Sequence, residues 1–244
     1  MIKLENLVKK FGDLTAVDNL SLTVGRGEFF AMLGPNAAGK TTTIKLLTGL
    51  IKPTAGRASI CGFDVQAEPI EARRRLAYVP DFPFLYDKLT ANEFFRFIGQ
   101  MFRLDPARIA SNVRELVTRF HLAEFADRPL EGLSHGTRQR IAIVSALLHD
   151  PEVFVIDEPM VGLDPQHARV VKDVLKERSL AGMTVLLSTH QLAIAEEMAD
   201  RIGIINNGRL IAVGTREELR QQSGSTGALE EVFLKLTADA PPTT

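Results

Sequence analysis

Two groups of residues in this 244-residue chain have the types and spacing for phosphate chemistry. The first runs Gly34, Pro35, Asn36, Ala37, Ala38, Gly39, Lys40, Thr41, Thr42 and fits the pattern G-x-x-x-x-G-K-[ST]. Glycine-rich backbone at a helix start turns several N–H groups inward, and the helix dipole adds partial positive charge. Lys40 supplies a full charge to terminal phosphates, and the Thr41 hydroxyl suits Mg²⁺. Ala37 stands where many such loops carry glycine. The expectation is that its position does not require positive φ, so that alanine is harmless there. The second group is "LSHGTRQR", Leu133 to Arg140, where Ser134 and Gly136 sit at a helix start. Ser134 there reads either as a plain N-cap or as a phosphate donor, and the two roles are compatible.

Acidic and basic partners follow. "VFVID" is an apolar run without alternation, as in a parallel strand buried on both faces. It ends in Asp157 and Glu158 at the strand's C-terminal edge, where open α/β sheets gather ligands. Asp157 suits a water-mediated hold on Mg²⁺, and Glu158 suits orienting or deprotonating an attacking water. Alone, the pair also reads as solvated acids at a strand end; beside a phosphate loop that reading recedes. His190 follows a second buried run, "TVLLST", and should end at the same sheet edge. His121, His135, His149 and His167 lack such a setting and read as structural or solvated.

These side chains need a scaffold. Strands are expected at "IKLENLV", "AVDNLSLTV" and "GEFFAML", the last feeding the phosphate loop and the helix "TTTIKLLTGL". "PTAGRASICGFDV" reads as a turn followed by an edge strand. From about Leu89 to residue 148 the texture is helical, opened by the Thr90/Glu93 capping-box spacing and by Asp105-Pro106. A capped helix at "DPQHARVVKDVLKERS" and another at "QLAIAEEMA" flank the second buried strand. Asn207-Gly208 between apolar runs predicts a hairpin. Helices at "TREELRQ" and "GALEEVFLKLT" precede a tail expected to be disordered.

Composition narrows the class. The hydrophobic share is 45% and the net charge is −1, so no basic excess points to nucleic acid. The single cysteine, Cys61, fits a reducing compartment. No apolar run reaches the ~18–20 residues that span a bilayer, so a role at a membrane would go through another subunit.

Taken together these motifs resemble the ATP-binding subunit of ABC transporters, over Phe11 to about Gly214. The carriers are the Gly34–Thr41 loop, "LSHGTRQR" for the family's "LSGGQ" signature, Asp157-Glu158, "GLDP" from Gly162 to Pro165, and His190. The resemblance implies an α/β fold: a P-loop NTPase (RecA-like) core with an N-terminal antiparallel β subdomain and an inserted α-helical subdomain. It implies one domain over 1–236, with core at 1–80 and 150–215, insert at 81–149, C-terminal helices at 216–236, and a tail at 237–244. Phe11 is then the ring that stacks on adenine, and the cofactors are ATP and Mg²⁺. Two copies, or two related subunits, pair head to tail, so that Ser134, His135, Gly136 and Gln139 of one chain complete the nucleotide site of the other. Asp164 belongs to the dimer contact. The remaining partners implied are integral membrane permease subunits, with no nucleic acid, at the cytoplasmic face of the cell membrane. The signature variant and Asp81 resemble the subgroup paired with ABC-2-type permeases, commonly exporters. A soluble family member acting on ribosomes or DNA is the alternative, usually marked by two nucleotide domains or basic surface.

Asp81 departs from the family's usual glutamine and is carried over only as lying near the metal. Phe82, Phe84 and Tyr86 after it read either as core packing or as a docking socket for the permease.

Overall fold

The computed structural model of the chain describes residues 1–224 and 229–238. Its first sheet is antiparallel. Strands β1 (Ile2–Phe11) and β2 (Leu14–Val24) pair directly, and β4 (Ala55–Ile60) and β5 (Phe63–Asp64) extend the sheet in the order β2-β1-β4-β5. Alternation of buried Ile2, Leu4, Leu20, Leu22 and Val24 with exposed neighbours explains why this sheet covers a core with one face.

The second sheet is mixed, in the order β10-β9-β3-β8-β7-β6. Its parallel strands are β3 (Phe29–Leu33), β6 (Leu76–Val79), β7 (Val153–Asp157), β8 (Thr184–Thr189) and β9 (Arg201–Asn206), with β10 (Arg209–Gly214) antiparallel at one edge. Every residue of β3, β7 and β8 is buried. Successive residues supply opposite faces: Phe154 and Ile156 pack with the helices on one side, Val153 and Val155 with the antiparallel sheet on the other. Sandwiched in that way, these strands have no polar face, and their unbroken apolar sequences follow from it.

Helix α1 (Lys40–Leu47) follows β3, and α2 (Pro69–Arg74) precedes β6. The helical lobe comprises α3 (Ala91–Met101), α4 (Pro106–Arg119) and α5 (His135–Leu147). Thr90 and Glu93 form a reciprocal capping box on α3, and Asp105 caps α4 ahead of Pro106. Helices α6 (Pro165–Leu180) and α7 (Leu192–Met198) flank β8. After the hairpin, α8 (Arg216–Ser223) and α9 (Leu229–Ala238) close a third core with Ala31, Leu33, Ile202 and Ile204.

One expectation is corrected. The strand read from "PTAGRASICGFDV" as an edge is β4, which lies inside its sheet between β1 and β5; the two-residue β5 is the edge. The chain reverses at Cys61 and Gly62, both with positive φ, and that hairpin is what covers β4. Helix α2 had no periodic signal in its six residues. The expected tail over residues 239–244 lies outside the described residues.

Candidate functional site

The phosphate loop joins β3 to α1. The N-cap of α1 is Gly39 at φ 103°, with no side chain closing the helix's first N–H groups. Those donors therefore remain open to an anion. Gly39 has no alternative residue: an added Cβ would lie 2.6 Å from the Ala16 carbonyl. The back of the loop rests on the β9–β10 hairpin, where the Gly208 N–H donates to the Ala38 carbonyl at 2.9 Å. Ala37 has φ 63°. The expectation that this position avoids the left-handed region is thus wrong, and a β-carbon there costs ~1–2 kcal/mol relative to glycine.

The Lys40 ammonium is buried and donates to the Gly34 and Pro35 carbonyls at 2.7 and 2.9 Å. Desolvation pulls its pKa below the ordinary lysine value, opposed by the negative charges of Glu158 and Asp157. The Thr41 hydroxyl donates to the Asp157 carboxylate at 2.9 Å. One carboxylate and one hydroxyl are hard oxygen donors of the kind Mg²⁺ accepts while keeping waters and phosphate oxygens in its shell. No group of three or more His, Cys, Asp or Glu suited to a metal occurs among the described residues. Any cation here relies on Thr41, Asp157 and the ligand's own oxygens.

Glu158 lies directly after β7 and adopts φ 46°, an uncommon conformation for a non-glycine residue. Its N–H donates to the Ser188 carbonyl of the neighbouring strand. Its carboxylate accepts from the Thr189 hydroxyl at 3.1 Å and meets His190 Nδ1 at 2.7 Å. The sheet register that pairs Asp157 with Ser188 brings these groups to one edge. Asp81 comes to the same place from the end of β6. Partial burial, then the charges of Asp157 and Glu158, raise its carboxyl above the usual range. Tyr78, pushed up to about 12 chiefly by burial, feels both Asp157 and Asp81.

A cleft of about 490 Å³ gathers Phe11, residues 36–42, Asp81, Asp157 and Glu158. Phe11 is half-exposed at its rim. Leu14, Thr15, Ala16, Asn207 and Gly208 also line it. Sequence reasoning gave them no part in the site; the hairpin signal was legible, its position behind the phosphate loop was not. None of residues 133–140 lines this cleft.

Those residues form the start of α5 instead. Ser134 is exposed and is the N-cap, accepting from the Thr137 N–H at 3.3 Å. Its hydroxyl also lies 2.9 Å from the Thr137 hydroxyl. His135 and Gly136 are half-buried beside it. Gln139 is different: it is fully buried, and neither its amide nitrogen nor its oxygen has a partner. Its assignment to a nucleotide held by another chain is corrected, because the helix turns position 139 inward. Arg140 is buried too and donates to the Phe120 carbonyl at 2.7 Å, which fastens α5 to the end of α4. Asp164 caps α6 and contacts His167 at 2.5 Å. Phe82, Phe84 and Tyr86 are 70%, 91% and 59% exposed, which excludes core packing for them. His149 is structural: it stacks on Phe102 at 3.7 Å, and burial lowers its pKa to about 4.

Comparison with known proteins agrees with this geometry. The family profile described as ABC transporter matches residues 17–161. The Nod factor export ATP-binding protein I of Ralstonia nicotianae is 39% identical over 219 residues, covering 90% of this chain and 68% of that protein. The linearmycin resistance ATP-binding protein LnrL of Bacillus subtilis is 37% identical over 241 residues, covering 96% and 78%. Among solved structures, an ATP-binding subunit of an ABC transporter superposes with TM-score 0.93 at 34% identity, covering 97% of this chain and 99% of that one. An ATP-binding cassette, dimeric and bound to ADP and Pi after hydrolysis, gives TM-score 0.80 at 27% identity, covering 88% and 98%.

Proposed function

The chain belongs to the ABC transporter family as an ATP-binding subunit and ATPase, and from that premise we propose that it drives export through membrane-spanning partners by closing and reopening a head-to-tail dimer. The observation that supports this reading is the separation of the phosphate loop at α1 from the exposed start of α5. Residues 36–42 of the loop line the cleft, whereas Ser134 and Gly136 stand outside it. A second copy, turned end for end, brings its α5 start over the first copy's loop. Such an arrangement agrees with the dimeric state of the related cassette.

In this reading Phe11 stacks on the base, and Lys40 with the open N–H groups of α1 holds the phosphates. Thr41 and Asp157 would hold Mg²⁺, which supplies charge neutralisation between phosphate oxygens when bound. Asp81 lies beside it. Glu158 takes the proton of the attacking water, and His190, through its Nδ1 contact, keeps the carboxylate turned toward it. Ser134, His135 and Gly136 of the second copy complete the pocket, and Asp164 borders the dimer contact. The exposed Phe82, Phe84 and Tyr86 meet the membrane partner, which puts the chain at the inner face of the membrane. Among the described residues no helix is long and apolar enough to cross it. Export follows the relatives, one a Nod factor export protein by name and another a linearmycin resistance protein.

The test is Glu158→Gln. Hydrolysis falls by about 10²–10⁴-fold while ATP binding persists, and size-exclusion chromatography with ATP shows a trapped dimer. A variant that hydrolyses ATP at the parent rate would refute the base.

A further inference from the structure

The signature-like turn of this chain carries a histidine, His135, whose surroundings are specific. Its ring lies 5.7 Å from that of Phe82, tilted by 58°. Also against it is Gly162, at φ 75°, where a β-carbon would come within 2.5 Å of the imidazole. Gly136, next along the helix, is as closely set: a Cβ there would lie 2.6 Å from the Gly162 carbonyl. Three elements therefore converge on one ring: the exposed aromatic segment after β6, the first turn of α5, and the loop before α6. The aromatic segment is fastened to the same turn at other points. Asp87 pairs with Arg138 at 2.8 Å, one helical turn beyond His135. Arg138 also donates to the Leu130 carbonyl. Lys88 pairs with Glu131, and the Glu131 N–H donates to the Asp87 carbonyl.

From this juxtaposition we propose that His135 is a positioning residue that couples the aromatic segment at 82–86 to Ser134 and to the Gly162 loop. Its role rests on packing of the ring and not on its charge. Phe82 touches His135 and keeps most of its surface open, so a partner pressing on Phe82 moves His135. His135 is the residue next to Ser134, and Gly162 is two residues from the Asp164 cap. Displacement at the aromatic patch thus reaches both the α5 start and the Gly162 loop through a single side chain. A glycine at position 135 leaves the aromatic segment tethered by Arg138 alone on this helix face. The proposal deepens the dimer reading above and depends on it for its functional consequence only.

The experiment has two arms. In the nucleotide-free full chain, amide hydrogen exchange is followed over residues 81–87 for the parent, His135→Ala, His135→Phe and Gly162→Ala. His135→Ala raises exchange there about 3–10-fold, the scale of one lost ring pair, and His135→Phe restores protection. Unchanged exchange in His135→Ala overturns the proposal, whatever the dimer does. In the second arm the same substitutions are placed in the Glu158→Gln background and ATP-dependent dimerisation is measured. His135→Ala weakens the dimer by roughly 3–10-fold through lost pre-organisation, His135→Phe recovers it, and Gly162→Ala combined with His135→Ala is less than additive. Recovery by His135→Lys but not His135→Phe would assign the role to charge and overturn the packing account. A Glu158→Gln chain that stays monomeric with ATP refutes the dimer reading, while the exchange arm still decides the contact.

Discussion

At α1 the helix start is open, and at α5 it is closed. Gly39 offers no cap, adjoins a buried lysine, and leaves the first N–H groups of α1 pointing at a walled cleft. Ser134 satisfies the Thr137 N–H itself, on an exposed surface, with its inward neighbours Gln139 and Arg140 committed to the interior. The first site needs only a ligand. In the proposed dimer the second is brought to one, so that a chain carrying both would serve two different nucleotides.

The contrast extends to how each helix is anchored, and here the largest energetic effect is expected. Helix α1 sits among apolar side chains, whereas the end of α5 is followed by His149, stacked on Phe102 and bonded to the Leu76 carbonyl at 3.2 Å. Its pKa falls from 6.5 to about 4 on folding, with burial the main cause. Because the folded state disfavours the proton, this contribution is fully present above pH 6.5. It is lost as pH falls toward 4, amounting to about 3 kcal/mol in all. Denaturant titrations should show the parent losing stability as pH falls from 6.5 toward 4, with His149→Phe losing about 3 kcal/mol less over the same window. An identical acid profile for both would mean that the α5 end has no such anchor.

An intermediate effect separates the two roles of Ser134. Ser134→Asp keeps an N-cap acceptor and so preserves thermal stability. It places a negative charge opposite phosphate and removes a donor worth about 2 kcal/mol, so ATPase falls by roughly 10–100-fold. Nucleotide affinity of the isolated monomer stays at the parent value. Loss of monomer affinity would place Ser134 in its own chain's cleft and erase the distinction.

The smallest effect concerns the open site. Ala37→Gly relieves a left-handed alanine and should raise the melting temperature, by about 1 kcal/mol in stability, if the loop keeps its present path. A fall in stability would show that the loop's conformation without nucleotide differs from this one.

Much of this was legible in the residues. Gly34 to Thr41, Asp157-Glu158 and His190 announce their chemistry by type and order, and unbroken apolar runs announce strands buried on both faces. Caps at Thr90, Asp105 and Asp164 are local chemistry and are found where the sequence puts them. What was not legible depends on which distant segment arrives alongside. The β9–β10 hairpin behind the loop is one such contact, and the β5 pairing that turns β4 into an interior strand is another. Gln139 illustrates the limit most directly. Its motif neighbour Ser134 is the exposed N-cap, yet five residues at about 100° each turn position 139 roughly 140° away from it, into the core. Ala37 was misjudged because backbone angle is set by the path of the loop, and its residue type argued the other way.

The central claim is that each pocket is finished by a second copy. It is tested most directly by mixing two disabled proteins, Lys40→Ala and Ser134→Asp, each measured alone and together. In a mixed pair one pocket combines the intact loop of the second protein with the intact α5 start of the first, and random pairing leaves roughly a quarter of all pockets whole. ATPase, lowered at least about tenfold in either protein alone, is expected to rise on mixing and to increase more steeply than in proportion to protein concentration. A mixture as inactive as its components, with parent activity per chain independent of concentration, would contradict it.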